Sequence, residues 1–275
     1  MPDAVDGRWP VVLGNCHSGI RQYSRFVPLK SMSRLKVLLT GPSGRIGPHL
    51  LKPFEAKYDL VTFDLPGHGS DFEGELSDIN SLRRAMQGID VVVHMAATSD
   101  EAPFLEELVP NNVIGVYNVL EAARLEGVRR VVFASSVQAG GSVPQQREGE
   151  GVLELDLLPR PGTLYGATKV LAETMGHFFH QKHGLEFIAV RIGAFQPYDS
   201  DWLHTGTGEE IWLSPRDCTQ VLMCAIEKQD VAYAVVNATS KTSIERMSLK
   251  SAHEVLGFEP HDDSRDFYSA HTFKN

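Results

Sequence analysis

The stretch that decides the fold is KVLLTGPSGRIG, which runs from Lys36 to Gly47. It places a short apolar run, a glycine-rich turn and a helical pattern in direct succession. Glycines permit a tight turn and let the backbone approach a pyrophosphate, whose charge is met by the N-terminus of the following helix. The spacing G-x-x-G-x-x-G stands in the strand-turn-helix context that such a site requires. We therefore predict that this turn binds the phosphates of a dinucleotide through Gly41, Ser43, Gly44, Arg45, Ile46 and Gly47.

The rest of the chain alternates short β-rich runs with longer amphipathic stretches, a pattern typical of βαβ units and a parallel sheet. The apolar runs are nearly continuous, which suits strands buried on both faces. The predicted strands are 36–40, 59–64, 72–75, 90–94, 130–135, 186–192 and 232–237. The predicted helices are 46–57, 79–86, 105–126, 163–183, 215–228 and 248–256. We expect an α/β fold with a doubly wound parallel sheet of about seven strands, helices on both faces and a small C-terminal segment that covers the substrate.

The first 35 residues differ from the rest of the chain. They contain five basic residues against two acidic ones, with proline and glycine breaks and no apolar core of signal-peptide length. We expect residues 1–35 to be a disordered extension, or the product of an upstream start codon with Met32 as the natural one. Residues 36–275 are then expected to form a single catalytic domain.

Composition excludes several classes of function. The net charge of -9 argues against nucleic acid as a partner, because phosphate binding requires a basic face. No apolar run reaches the roughly 18 residues that cross a bilayer, so we expect no membrane partner. The three cysteines are too few and too scattered for a disulfide framework or a zinc site. We expect a cytoplasmic protein that holds no metal and acts on a small molecule.

A carboxylate closes the second predicted strand. Asp64 occupies the position from which an acid can accept hydrogen bonds from the adenosine ribose hydroxyls of a dinucleotide. The same charge would repel the 2′-phosphate of NADP, so this position indicates NAD. The alternative is a solvated turn acid before Pro66 and Gly67.

A tyrosine and a lysine stand four residues apart in a predicted helix. The spacing puts the Tyr165 phenol and the Lys169 ammonium on one face. A nearby ammonium lowers the pKa of a tyrosine from about 10, which makes Tyr165 a candidate general base. Ser136, at the end of the run VVFASS, could hydrogen-bond a reacting oxygen. The alternatives are a chance pair for Tyr165 and Lys169, and a strand-end turn for Ser136.

These features, in this order, resemble the extended short-chain dehydrogenase/reductase family, also called the NAD-dependent epimerase/dehydratase family, over about residues 36–260. The resemblance implies a Rossmann-type fold, NAD as cofactor and catalysis by Tyr165, Lys169 and Ser136. It also implies a homodimer formed through the helices at 105–126 and 163–183. Glu75 stands where the family usually has Asp, which is a departure. The further cofactor contacts that the resemblance implies are Glu75, Leu76, Met95, Ala96, Ala97, Tyr165, Lys169 and Ile192.

Two short segments, Arg191–Ala194 and Trp212–Asp217, are similar to segments of uronate dehydrogenases, which oxidise the C1 hydroxyl of a cyclic hexuronic acid with NAD. The substrate contacts implied by this resemblance are Ser99, Ser136, Val137, Gln138, Tyr165 and Ala194. The chain departs from this group at two places. It reads SSVQ where uronate dehydrogenases usually read SSNH, and it has Ala194 where they have serine. The arginine that binds the carboxylate has no counterpart before WLS, where Glu209 and Glu210 stand instead.

The sequence therefore predicts an NAD-dependent oxidoreductase that transfers hydride to or from a small sugar or sugar acid. One alternative is a sugar epimerase or dehydratase, in which bound NAD is reduced and then reoxidised on the same substrate. Another is a regulatory protein that binds NAD without catalysis. The set of Tyr165, Lys169 and Ser136 counts against the last reading, because a sensor has no need of proton transfer.

Overall fold

The computed structural model describes residues 34–141, 159–200 and 208–268. Its central feature is a sheet of seven parallel strands in the order β3-β2-β1-β4-β5-β6-β9. These strands are β1 (Lys36–Thr40), β2 (Asp59–Asp64), β3 (Phe72–Glu73), β4 (Val91–His94), β5 (Arg130–Ser136), β6 (Glu186–Ile192) and β9 (Tyr233–Ala238). Two further strands, β7 (Ala194–Phe195) and β8 (Trp212–Leu213), pair with each other in parallel.

Helices cover both faces of the seven-stranded sheet. They are α1 (Gly47–Lys57), α2 (Ile79–Met86), α3 (Gly115–Glu126), α4 (Val137–Gly140), α5 (Leu164–His183), α6 (Gly208–Ile211), α7 (Pro215–Glu227) and α8 (Ser264–Tyr268). Two π-helical segments, Phe104–Ile114 and Ala252–Leu256, complete the set. One core cluster joins the sheet to α1 and α7, and the other joins it to α2, α3 and α5. The predicted doubly wound α/β fold is confirmed.

The alternation of side chains along β1 explains the two core clusters. Val37 and Leu39 belong to one cluster, whereas Leu38 belongs to the other, and all three are fully buried. Successive side chains of a strand point to opposite faces of a sheet, so an unbroken apolar run is required where both faces are covered.

The strand order reverses at β1, which has β2 on one side and β4 on the other. Loops that leave the carboxyl ends of β1 and β4 diverge from each other, and this opens a crevice at the edge of the sheet. No helix within the described ranges is both long and apolar enough to pass through a membrane.

The prediction of one uniform helix over 105–126 is wrong. The segment is π-helical to Ile114 and becomes α-helical at Gly115. Pro110 lies inside the π-helical part, and proline has no backbone N–H to donate. A second π-helix, Ala252–Leu256, stands within the helix predicted over 248–256.

Arg34 and Leu35, which were expected to belong to the extension, form hydrogen bonds with the folded unit. The Arg34 guanidinium donates to the Lys57 carbonyl at 3.1 Å, and the Leu35 carbonyl accepts from the Asp59 N–H at 2.9 Å. Apart from these two residues, the expected disordered extension lies outside the described residues.

Candidate active site

A cavity of about 610 Å³ opens at the carboxyl edge of the sheet, at the point where the strand order reverses. Its walls come from the glycine-rich turn, the loop after β4, the ends of β5 and β6, and the start of α5. The predicted site residues that line it are Gly41, Gly44, Arg45, Ile46, Gly47, Met95, Ala97, Ser99, Ser136, Val137, Gln138, Tyr165, Lys169, Ile192 and Ala194.

The glycine-rich turn is packed so closely that side chains cannot replace Gly41 and Gly47. Gly41 has a φ of +72°, and a Cβ there would lie 2.8 Å from the backbone of Ala96. A Cβ on Gly47 would lie 2.3 Å from the Pro42 carbonyl oxygen. The turn leads into α1, whose N-cap residue Ile46 supplies no side-chain hydrogen bond. Pro48 has no N–H and the His49 N–H donates to the Ile46 carbonyl at 3.0 Å, which leaves the Gly47 N–H as the candidate donor of the first turn of α1 to an anion.

Asp64 is tied to this turn rather than solvated, since it is only 8% exposed. Its carboxylate accepts hydrogen bonds from the Ser43 N–H at 2.9 Å, the Ser43 hydroxyl at 2.6 Å and the Leu65 N–H at 2.8 Å. Burial opposes ionisation of Asp64, but these hydrogen bonds outweigh it and hold its pKa below the usual value. The carboxylate is thus charged and fixed at the end of β2, although neither it nor Ser43 lines the cavity.

The three candidate catalytic side chains converge in the cavity. Tyr165 lies in the first turn of α5, whose N-cap Thr163 accepts a hydrogen bond from the Gly166 N–H at 3.0 Å. The Ser136 hydroxyl, at the end of β5, lines the same cavity as the Tyr165 phenol and acts to lower its pKa. The Lys169 ammonium donates to the Ala134 carbonyl at 2.8 Å and lies 5.3 Å from the centre of the Tyr165 ring.

The expected lowering of the tyrosine pKa does not occur in this structure. Burial raises the pKa of Tyr165 to about 12, and the nearby Asp100 carboxylate acts in the same direction. Burial also lowers the pKa of Lys169 to about 8, against the opposing charge of Glu173. Loss of solvent disfavours the charged form of both groups, so the pKa of the phenol rises and that of the ammonium falls.

The loop after β4 is fixed by buried polar contacts. The Thr40 hydroxyl oxygen accepts from the N–H groups of Met95 and Ala96, each at 3.2 Å. Its proton is therefore directed to the His94 Nδ1 atom, 2.8 Å away, because a hydroxyl has one proton to donate. Asn112 exchanges two hydrogen bonds of 2.9 Å with the Thr98 backbone. These contacts hold the loop that carries Met95, Ala96 and Ala97 under the cavity.

The expected substrate end of the cavity combines apolar and amide surfaces. Val137 packs with Ile211 and Met247 in a small apolar cluster that Ala194 also contacts. The Gln138 Oε1 atom accepts from the Thr163 hydroxyl at 2.6 Å. Its NH₂ group is then the part of the amide that can donate to a ligand.

One charged residue of the cavity lining was not among the predicted site residues. Asp100 lines the cavity with a φ of +62°, and its carboxylate lies 3.4 Å from the Arg45 guanidinium. Glu210 forms an ion pair with Arg246, with 2.7 Å between the carboxylate oxygen and the Nε atom. The side chain of Glu209 lies outside the described residues. Only the acidic pair after Thr98 and Ser99 in the sequence could have indicated Asp100.

Two predicted cofactor contacts lie away from the cavity. Leu76 is buried in the core, where a Cβ on Gly115 would approach it to 2.8 Å. Glu75 is exposed and accepts a hydrogen bond from the Ser77 hydroxyl at 3.0 Å. Ala96 is likewise absent from the lining. Within the described ranges no group of three or more His, Cys, Asp or Glu side chains is arranged to hold a metal ion.

Comparison with known proteins gives consistent results. The model of the "NAD dependent epimerase/dehydratase family" matches residues 37–196. The chain is 32% identical over 251 residues to an NAD-dependent glucose-6-phosphate dehydrogenase of Haloferax volcanii, covering 84% of this chain and 95% of that protein. It is 31% identical over 240 residues to a uronate dehydrogenase of Pseudomonas syringae pv. tomato, covering 84% of each.

The fold has a close counterpart among solved structures. A tyrosine-to-alanine mutant of uronate dehydrogenase from Agrobacterium tumefaciens, complexed with NAD, superposes with a TM-score of 0.76 at 26% identity. The match covers 88% of this chain and 91% of that one.

Proposed function

Because the chain belongs to the NAD dependent epimerase/dehydratase family, we propose that it transfers hydride between NAD and a carbinol or carbonyl carbon of a small sugar or sugar acid. One observation carries the proposal. Ser136, Tyr165 and Lys169 converge in a cavity that also contains the glycine-rich turn. A proton-transfer group and a phosphate-binding turn in one cavity are what a dinucleotide-dependent oxidation requires.

The residues present fit NAD. The turn from Gly41 to Gly47 and the N-terminus of α1 would hold the pyrophosphate, and Asp64 would accept from the adenosine ribose hydroxyls. Lys169 would donate to the ribose nearer the reacting ring. NAD, when bound, would supply the hydride acceptor and, in its oxidised form, a positive charge within the cavity.

The protein's own part in the reaction is to position the alcohol and remove its proton. Ser136 orients the reacting oxygen by a hydrogen bond, and Tyr165 takes the hydroxyl proton as general base. Since burial raises the pKa of Tyr165 to about 12, the phenolate depends on positive charge nearby. The Lys169 ammonium, close to the phenol ring, supplies one such charge.

The site supports a sugar as the substrate. Ser99 and the Gln138 amide offer hydrogen-bonding groups for hydroxyls, whereas Val137 and Ala194 present apolar surface. Two of the relatives named above act on sugars that carry an acidic group, glucose 6-phosphate and uronate. Both are dehydrogenases, which favours net oxidation over epimerisation.

The test is a screen for NADH formation with free sugars, sugar phosphates and uronic acids, run with NAD and NADP in parallel. Tyr165→Phe should lower kcat by about 10²- to 10⁴-fold, because it removes the general base, and should leave NAD binding nearly unchanged. Tyr198→Phe is the matched control, since the Tyr198 hydroxyl bonds Asp262 at a different part of the surface. Full turnover by Tyr165→Phe, or sugar turnover without net NADH, would contradict the proposal.

We propose further that the protein is a homodimer formed through α3 and α5. These helices pack on each other and expose large apolar side chains: Tyr117, Leu125, Leu164, Leu171 and Phe178. Phe178 alone is 56% exposed. Large apolar side chains exposed on two adjacent helices favour association. Sedimentation equilibrium of the wild type and of Phe178→Asp tests this, and a wild-type monomer at micromolar concentration would refute it.

We also propose that the protein acts in the cytoplasm and that residues 36–275 form a single catalytic domain. Free thiols at Cys218 and Cys224 are consistent with a reducing compartment. A chain that starts at Met32 should retain the activity of the full chain. Loss of activity on this truncation would assign a function to the preceding residues.

A further inference from the structure

Glu173 is a buried carboxylate that the proposed reaction does not use. It is only 5% exposed and lies one helical turn after Lys169 on α5. It accepts hydrogen bonds from the Ser135 hydroxyl at 2.6 Å, the Arg191 Nε atom at 2.8 Å and the Arg191 Nη2 atom at 2.7 Å. Arg191 is also 5% exposed and stands opposite Ser135 in the register of β5 and β6. The carboxylate therefore joins one helix to two strands.

Three consecutive residues at the end of β5 face three residues of α5. The Ala134 carbonyl accepts from Lys169, the Ser135 hydroxyl donates to Glu173, and the Ser136 hydroxyl lines the same cavity as the Tyr165 phenol and acts to lower its pKa. Tyr165, Lys169 and Glu173 follow one another at intervals of four, so they share a face of the helix. A shift of α5 along the sheet would break all three contacts at once. The Glu173 contact thus fixes the register in which Ser136 meets Tyr165.

The charges around Lys169 also depend on this carboxylate. On β4, His94 is fully buried and its pKa is lowered to about 3, so it is neutral. On α5, the raised pKa of Tyr165 keeps the phenol neutral. Arg45 and Asp100 form an exposed ion pair at the mouth of the cavity. Burial favours loss of the Lys169 proton, and Glu173 acts against it.

We propose that Glu173, with Arg191 as its counter-ion, is a positioning residue that keeps Lys169 protonated and holds Ser136 and Tyr165 in register. The inference deepens the proposed function and rests on it for the role of Lys169. A purely structural ion pair is the competing explanation, because a buried pair often contributes little net stability while its disruption is costly.

Two single substitutions separate these explanations. Glu173→Gln and Arg191→Gln break the same ion pair, and each leaves one buried group without its partner. Both should lower the temperature of unfolding. Only Glu173→Gln removes the negative charge near Lys169, whereas Arg191→Gln retains it. Both variants therefore lose the ion pair, but only Glu173→Gln is expected to favour loss of the Lys169 proton.

The measurements are the pH dependence of kcat and of the NAD dissociation constant, the latter by titration calorimetry. An opposite charge about 4–6 Å away typically shifts a pKa by about 1–3 units. In Glu173→Gln the alkaline limb of both profiles should therefore move to lower pH by about one unit, because Lys169 loses its proton earlier. In Arg191→Gln the limb should stay in place or move to higher pH. Equal profiles for the two variants would overturn the proposal.

Ser135→Ala keeps the inference testable if the charged variants fail to fold. It removes one of the three hydrogen bonds to Glu173 and no charge, so kcat should fall several-fold with unchanged NAD affinity. An unchanged kcat would contradict the positioning role. If the wild type oxidises no sugar, the proposed function fails, but the profile of NAD binding still tests the effect of Glu173 on Lys169.

Discussion

The choice between NAD and NADP is expected to depend on Asp64, and Asp64→Ala tests this. The wild-type carboxylate is charged and held by three hydrogen bonds from Ser43 and Leu65. Two unit charges about 4 Å apart near a protein surface interact by about 4 kcal/mol. Solvent around the exposed part of the site reduces this interaction energy. We therefore expect the 2′-phosphate of NADP to cost about 2–3 kcal/mol, which corresponds to a preference for NAD of roughly 30- to 150-fold.

Asp64→Ala should therefore lower the ratio of kcat/KM for NAD to that for NADP by at least about 30-fold. The ratio is measured by initial rates of NADH and NADPH formation at one saturating sugar concentration. Asp71→Ala is the matched control, because Asp71 is an exposed acid that bonds Thr62 on the same strand. A wild-type preference for NADP, or a ratio that moves equally in both variants, would refute the reasoning.

Three other perturbations follow from the structure. Arg130→Met should destabilise the fold by about 3–5 kcal/mol in urea denaturation, because the 1%-exposed guanidinium bonds four carbonyls and Glu186; a loss under 1 kcal/mol would contradict this estimate. Gly41→Ala should abolish measurable NAD binding in calorimetry, since its Cβ would lie 2.8 Å from the Ala96 backbone, and retained binding would show that the turn can relax. Asp100→Asn should move the acid limb of the pH–rate profile to lower pH, because the Asp100 charge raises the pKa of Tyr165. A limb that stays in place would contradict an effect of Asp100 on the pKa of Tyr165.

Local pattern was sufficient for the elements that position the cofactor turn. β1, β2, α2 and β6 have the predicted bounds, because each is a short apolar or amphipathic run with a clear end. The helix predicted over 105–126 is π-helical to Ile114, and Pro110, which has no backbone N–H, lies inside that part. The pairing of β7 with β8 involves only two residues in each strand, too few to give a period.

The catalytic part of the site was predictable because its residues stand at strand ends and at a helical interval of four. Its supporting contacts were not, because they join residues that are distant in sequence. Glu173 and Arg191 are 18 residues apart, and Glu210 and Arg246 are 36 apart. The Asp100 carboxylate acts on Tyr165 across the cavity, and only the folded chain brings these two residues together. The expected pKa of Tyr165 failed for the same reason, since burial is a property of the whole fold.

A parallel sheet with all of its chemistry at the carboxyl edge leaves the opposite edge without a role in the site. There the chain turns from helix to strand at Gly88, Gly127 and Gly184, each with a φ near +70° and with nothing within 4 Å of an added Cβ. These turns are places where the chain can be lengthened. A chain with a fluorescent reporter inserted at Gly127 should bind NAD as tightly as the parent chain, which would make this protein a scaffold for an NAD sensor.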